Sequence, residues 1–152
     1  MNTSVYTFDR VNHHHYVNGI HVPGPTGILK ALGFIDTQWC KEEDLYRGTY
    51  VHEACRLLSQ DNLDMSSIKP EYMGYIQAYE KAIKELNIKG GYTEEPVYSK
   101  NWMIAGIPDR ITEEDFLWDI KTSKQKQGWW VYQTALYGFM YHELHGRKIK
   151  GR

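Results

Sequence analysis

Asp109, Asp119 and Lys121 stand in "GIPDRITEEDFLWDIKTS", residues 106–123, a stretch that otherwise reads as strand and is largely apolar. Strand side chains alternate between faces, so Asp119 and Lys121 point the same way and Ile120 the other. "TEED" reads as a turn. If it is centred on Glu114, residues 109 and 119 oppose each other across an antiparallel pair, and opposed residues share a face. Opposed carboxylates repel, and a hard divalent cation reverses that sign. Oxygen ligands suit Mg²⁺ or Mn²⁺, and the Ile120 carbonyl offers one more. A lysine beside such an ion can orient or deprotonate a water, or neutralise a phosphate. That combination suits hydrolysis of a phosphodiester. An exposed cross-strand salt bridge would use the same residues, and D-x-K spacing alone does not separate the two.

The flanking segments say what must position this patch. Asn18-Gly19 between short β-prone runs predicts a hairpin with a type I′ turn, stopped by Pro23 and Pro25. Thr26 is placed to cap a short helix through Leu32, with Gly33 ending it. Residues 42–60 predict a helix with Leu45, Thr49, His52, Cys55 and Ser59 on one face. Residues 69–91 predict a longer one, opened by Pro70, striped by Tyr72, Ile76, Tyr79, Ile83 and Leu86, and closed by Gly90-Gly91. The period then changes to three strands within residues 92–123, returns to helix after Gly128, and leaves "RKIKGR" to begin a last strand. The expected fold is α/β, an α+β sandwich. It has a central mixed sheet containing an antiparallel meander, flanked by helices in one domain over residues 1–152.

Composition narrows the function classes. Apolar residues make up 41% and charged residues 24%, and the net charge is −1, which argues against a general nucleic-acid coat. No apolar run approaches the roughly 20 residues of a membrane span, and "MNTSVYTFDR" lacks the pattern of a signal peptide, so no membrane association and a cytoplasmic location are expected. The two cysteines, Cys40 and Cys55, match no zinc spacing and read as reduced thiols.

Taken in order, the segments resemble the PD-(D/E)XK nuclease superfamily, in its RecB-like exonuclease branch. "VPGPTGIL" is similar to the family's strand-to-helix turn and "RGTYVHEA" to its Gly-x-x-x-His helix, which implies a metal-ligand role for His52. "EEPVYS" resembles the glutamate-bearing strand, best matched by Glu95, with Glu94 the alternative after a one-residue shift. "AGIPDRI" and "LWDIKTS" resemble the strands of Asp109 and of Asp119 with Lys121, and "YQTALYG" resembles the Gln-x-x-x-Tyr helix, giving Gln133 and Tyr137. The match runs from about Tyr16 to His145, and relatives usually continue into further strands, so a minimal or truncated version ending at Arg152 is expected. The resemblance implies a Mg²⁺- or Mn²⁺-dependent deoxyribonuclease, exonuclease-like and of phage or mobile-element type, acting in a bacterial cytoplasm. Two cysteines cannot hold the four-cysteine iron–sulfur cluster of some relatives, so no cluster is expected.

Trp129 and Trp130 follow the polar loop "SKQKQG". One of them is expected to offer a stacking surface for DNA with free ends or single strands, with Lys124 and Lys126 meeting the backbone, and the other to anchor the next helix. His13-His14-His15 reads as a native polar edge strand. Three rival functions remain: a DNA-binding module of the same fold that no longer cuts, a structural or interaction protein in which the carboxylate patch is only a surface, and a structure-specific endonuclease or resolvase.

Overall fold

The computed structural model describes residues 5–36 and 40–152. It is a mixed α/β arrangement of four helices and small antiparallel sheets. Strands β1 (Tyr6–Asp9), β2 (His14–Val17) and β3 (Ile20–Val22) form the first sheet in the order β1-β2-β3. Asn18 and Gly19 take φ of 52° and 77° between the paired Val17 and Ile20, the left-handed pair that a type I′ turn requires. The histidine run does not form an edge. β1 pairs outside it, so β2 is central, and His15 accepts or donates at 2.8 Å to the Tyr6 hydroxyl while its ring stacks on Phe8.

Helix α1 (Pro25–Ala31) starts two residues earlier than Thr26 capping would place it. Pro25 holds the first helical position with its preset φ, and Gly24 is the N-cap. That frees the Thr26 hydroxyl for another partner. Gly33, at φ 78°, follows the helix end as expected.

Helices α2 (Glu42–Ser59) and α3 (Pro70–Glu85) pack on each other around Val51, Ala54, Cys55, Ile68 and Ile76. Burying each large apolar side chain here is worth about 1.5–3 kcal/mol. The buried face of α2 is rotated from the expected stripe, and Leu45 and Leu86 are exposed. The apolar residues of α2 are spread around the helix rather than gathered in one stripe, so the position of α3, not its own periodicity, selects which face is covered.

The expected meander is shorter and more divided. Strands β4 (Tyr92–Thr93), β7 (Arg110–Ile111) and β8 (Leu117–Trp118) form one antiparallel sheet in the order β4-β7-β8, while β5 (Val97–Ser99) and β6 (Ile104–Gly106) pair separately. Glu94 and Met103 at positive φ, and Pro96 and Pro108 without an amide donor, interrupt the run. No single central mixed sheet forms among the described residues. A parallel bridge joins Phe116 to Gly151, supported by the Leu117 amide on the Gly151 carbonyl at 2.9 Å. "RKIKGR" thus returns beside β8.

Helix α4 (Trp130–His145), ended by Gly146 at φ 70°, lies across these strands. Tyr137, Met140 and Tyr141 pack with Val97, Ile111 and Leu117 in a second core. Among the described residues no helix is long and apolar enough to cross a membrane.

Candidate active site

The turn between β7 and β8 sets the site. Arg110 pairs with Trp118 and Ile111 with Leu117, a register centred on Glu114. One step further along the same register, Asp109 comes opposite Asp119. Both side chains line one cavity of about 480 Å³, together with His52 from α2, Lys121 from the loop after β8, and Gln133 and Tyr137 from α4. Gln133 and Tyr137 are one helical turn apart, so both reach the cavity from the same face of α4.

The hydrogen bonds run in two chains. Asp109 Oδ1 lies 2.8 Å from His52 Nδ1, and its Oδ2 accepts the Ile120 amide at 2.5 Å. Asp119 Oδ2 pairs with Lys121 Nζ at 2.6 Å, and the same ammonium donates to Gln133 Oε1 at 2.8 Å. Gln133 Nε2 in turn donates to the Thr26 hydroxyl at 3.4 Å. Lys121 Nζ also sits 5.2 Å and 5.9 Å from the ring centres of Trp129 and Trp130. The two indoles are both half-buried and meet edge to face. Both therefore wall the lysine, rather than dividing into one anchor and one free platform.

Burial and charge shift the titrations. Burial disfavours the His52 cation, but the hydrogen-bonded Asp109 carboxylate, helped by Asp119, outweighs it and raises the imidazole above its ordinary value. Burial raises Asp119 above the usual carboxylate range, with Lys121 offsetting part and Asp109 adding to it. Burial, then the negative charges of Asp119 and Asp109, keep the Tyr137 hydroxyl protonated. Tyr137 is thus a neutral donor and not a base. Cys55 is also excluded as a nucleophile, since burial pushes its thiol up to about 12.

The donor set, two carboxylates and an imidazole, has the chemistry to hold Mg²⁺ or Mn²⁺. As arranged, no three His, Cys, Asp or Glu side chains among the described residues form a group that could hold a metal ion. The reason is visible in the contacts. Asp109 is engaged by His52 and the Ile120 amide, and Asp119 by Lys121. Ile120 presents its amide to Asp109, and its side chain packs against the α2–α3 core.

Other expected residues fall elsewhere. Glu95 is exposed and does not line the cavity; Glu94 does. The left-handed backbone at Glu94 (φ 54°) reverses the alternation that pointed to its neighbour. Its carboxyl is raised by burial, although Arg56 Nε lies 3.6 Å away and opposes the rise. Lys124 and Lys126 are exposed and outside the cavity. Sequence reasoning missed Arg10 and His13, which line it from the β1–β2 turn. The signal that could have found them is the turn-forming "DRVN", residues 9–12, ahead of the histidine run.

Comparison with protein-family models, with curated proteins and with solved structures finds no match to this chain.

Proposed function

We propose that the chain is a metal-dependent deoxyribonuclease of the RecB-like, PD-(D/E)XK type, with a restriction-endonuclease-like core and exonuclease-like action on DNA in the cytoplasm. The observation that carries the reading is the convergence of Asp109, Asp119, Lys121 and His52 on one cavity. These residues come from three separate segments, and they are the ones that the order of motifs assigns. A bound Mg²⁺ or Mn²⁺ would supply Lewis-acid stabilisation of the phosphoryl oxygens and a water acidic enough to attack. Asp109, Asp119 and His52, with the Ile120 carbonyl, are the groups that would hold it. His52 serves as a ligand only when neutral, so its proton must leave first. Lys121, held by Gln133, orients the attacking water or steadies the phosphate, and Tyr137 donates a hydrogen bond from its neutral hydroxyl. Preorganised donors of this kind are worth about 10²–10³ in turnover each.

One observation favours a second reading, a DNA-binding module that does not cut. Both carboxylates already have partners within the protein, Asp109 in His52 and Asp119 in Lys121. Digestion of end-labelled single- and double-stranded DNA, linear and circular, with Mg²⁺ or Mn²⁺ tests the choice. Metal-dependent loss of label from linear DNA is the expected result. Binding of DNA without cleavage under any of these conditions would leave only the second reading.

A further inference from the structure

The β1–β2 turn has no role in the chemistry above, yet it supplies part of the cavity wall. Asp9 Oδ1 accepts the amides of Val11 (2.9 Å) and Asn12 (3.2 Å), and its Oδ2 accepts from the Asn12 side-chain amide at 2.7 Å. His13, at φ 54°, then turns the chain into β2. The Phe8 ring stacks on His15 at 4.8 Å, and Tyr6 bonds His15 beneath it. The turn is therefore built and braced. Its Arg10 and His13 are exposed, and both line the cavity that holds Asp109 and Asp119.

Charge explains what such a wall is for. The cavity lining carries four carboxylates, Glu53, Glu94, Asp109 and Asp119, against two fixed cations, Arg10 and Lys121. Lys121 is committed to Asp119 and Gln133. Arg10 makes no ion pair among the described residues, although its charge is felt by Glu53 and Glu94 across the cavity. A polyanion entering this acidic cavity needs a cation at its mouth, and Arg10 is placed to be that cation. A guanidinium's planar fork matches two phosphate oxygens at once.

We propose that the β1–β2 turn is a phosphate clamp for a single DNA strand, in which Arg10 and His13 bind a backbone phosphate beside the one at the reaction centre. Arg10 supplies the charge and the fork, and the His13 ring supplies an N–H donor. The inference rests on the nuclease reading for the identity of the strand.

The test is fluorescence anisotropy with a labelled oligothymidylate in Ca²⁺, on the parent, Arg10→Ala, His13→Ala and the remote control Lys84→Ala. A second probe series carries one uncharged methylphosphonate linkage, moved along the strand. Arg10→Ala should weaken binding about tenfold, the order of one charged contact, and lower the salt slope by about 0.7, the value for one phosphate on a single strand. One methylphosphonate position should weaken the parent similarly and leave Arg10→Ala unaffected. Equal losses in the parent and Arg10→Ala at every position would overturn the clamp, as would parent-like binding by Arg10→Ala. Cleavage in Mn²⁺ on the same preparations separates the two ideas. An Arg10-dependent phosphate contact without cleavage keeps the clamp and removes the nuclease reading. Cleavage with no Arg10 dependence does the reverse. A parent that neither binds nor cleaves removes both.

Discussion

Asp109 is held at both carboxylate oxygens, by the His52 ring at 2.8 Å and by the Ile120 amide at 2.5 Å. The first contact crosses 57 residues of sequence and ties helix α2 to the loop entering β7. The second ties that loop to the segment leaving β8. One side chain thus sets the relative position of the helix and of strands β7 and β8.

The His52–Asp109 contact makes stability depend on pH. The folded imidazole titrates above its ordinary 6.5, so the stability it adds is fully present below that value and is lost as the pH rises through the folded one. In metal-free protein, the melting advantage of the parent over His52→Asn should be largest near pH 6 and shrink towards pH 9. Affinity for Mn²⁺ should move the opposite way, rising as His52 gives up its proton. Melting curves and calorimetric titrations across that range check both. A melting difference that does not change with pH would detach His52 from Asp109.

On the proposed nuclease reading, Asp119→Asn and Lys121→Ala should each cut DNA turnover by about 10²-fold or more, but for different reasons. Asp119→Asn removes a ligand charge and should weaken Mn²⁺ binding. Lys121→Ala removes a positive charge 2.6 Å from Asp119 and should leave Mn²⁺ binding intact or tighter. Calorimetry and cleavage on the same folded preparations read the difference. A Lys121→Ala protein that turns over at the parent rate would take the lysine out of the mechanism.

Gln133 is buried and holds Lys121 from behind. Gln133→Leu keeps the bulk and deletes the acceptor, which should cost about 1–3 kcal/mol because the ammonium loses a buried partner. The lost orientation should lower kcat more than it raises KM. Kinetics with a short oligonucleotide would show this, and a pure KM effect would make Gln133 a binding residue only.

Glu94 and Glu95 differ by one position and should differ in behaviour. Glu95→Gln, on an exposed side chain, should leave stability and turnover as they are. The Glu94 carboxyl is raised by burial, so its ionisation works against folding as the pH climbs above the unfolded carboxylate range. Glu94→Gln should therefore melt slightly higher than the parent at pH 7, with the gap closing near pH 4. Identical pH profiles for the parent and Glu94→Gln would show that Arg56 neutralises Glu94 fully.

Gly106 lies under the site. A Cβ there would come 2.6 Å from Tyr137 Cε1 and 2.9 Å from Pro25 Cδ. Gly106→Ala should cost about 1–3 kcal/mol through overpacking and shift Tyr137 from the cavity wall. For a chain of this size each kcal/mol lowers the melting midpoint by about 2–4 °C. Calorimetry measures the first effect and tyrosine absorbance the second. An unchanged midpoint would mean that α1 moves aside freely.

By itself the sequence determined the pieces whose information is local. The Asn18-Gly19 turn, the helices from Pro70 and from Trp130, and the Glu114-centred turn are encoded by residues within a few positions of one another. The parity of a two-strand turn then sufficed to bring Asp109 and Asp119 to one side. Tertiary structure alone decided the rest. Which face of α2 is covered depends on where α3 packs. That Glu94 and not Glu95 reaches the cavity depends on one left-handed residue, a backbone state that glutamate's type does not announce. That Trp129 and Trp130 both wall Lys121 depends on the path of the loop after β8. The place of Arg10 and His13 in the cavity depends on β1, whose pairing with β2 forms the turn that carries them. Contacts of that kind join residues far apart along the chain, and local periodicity carries no record of them.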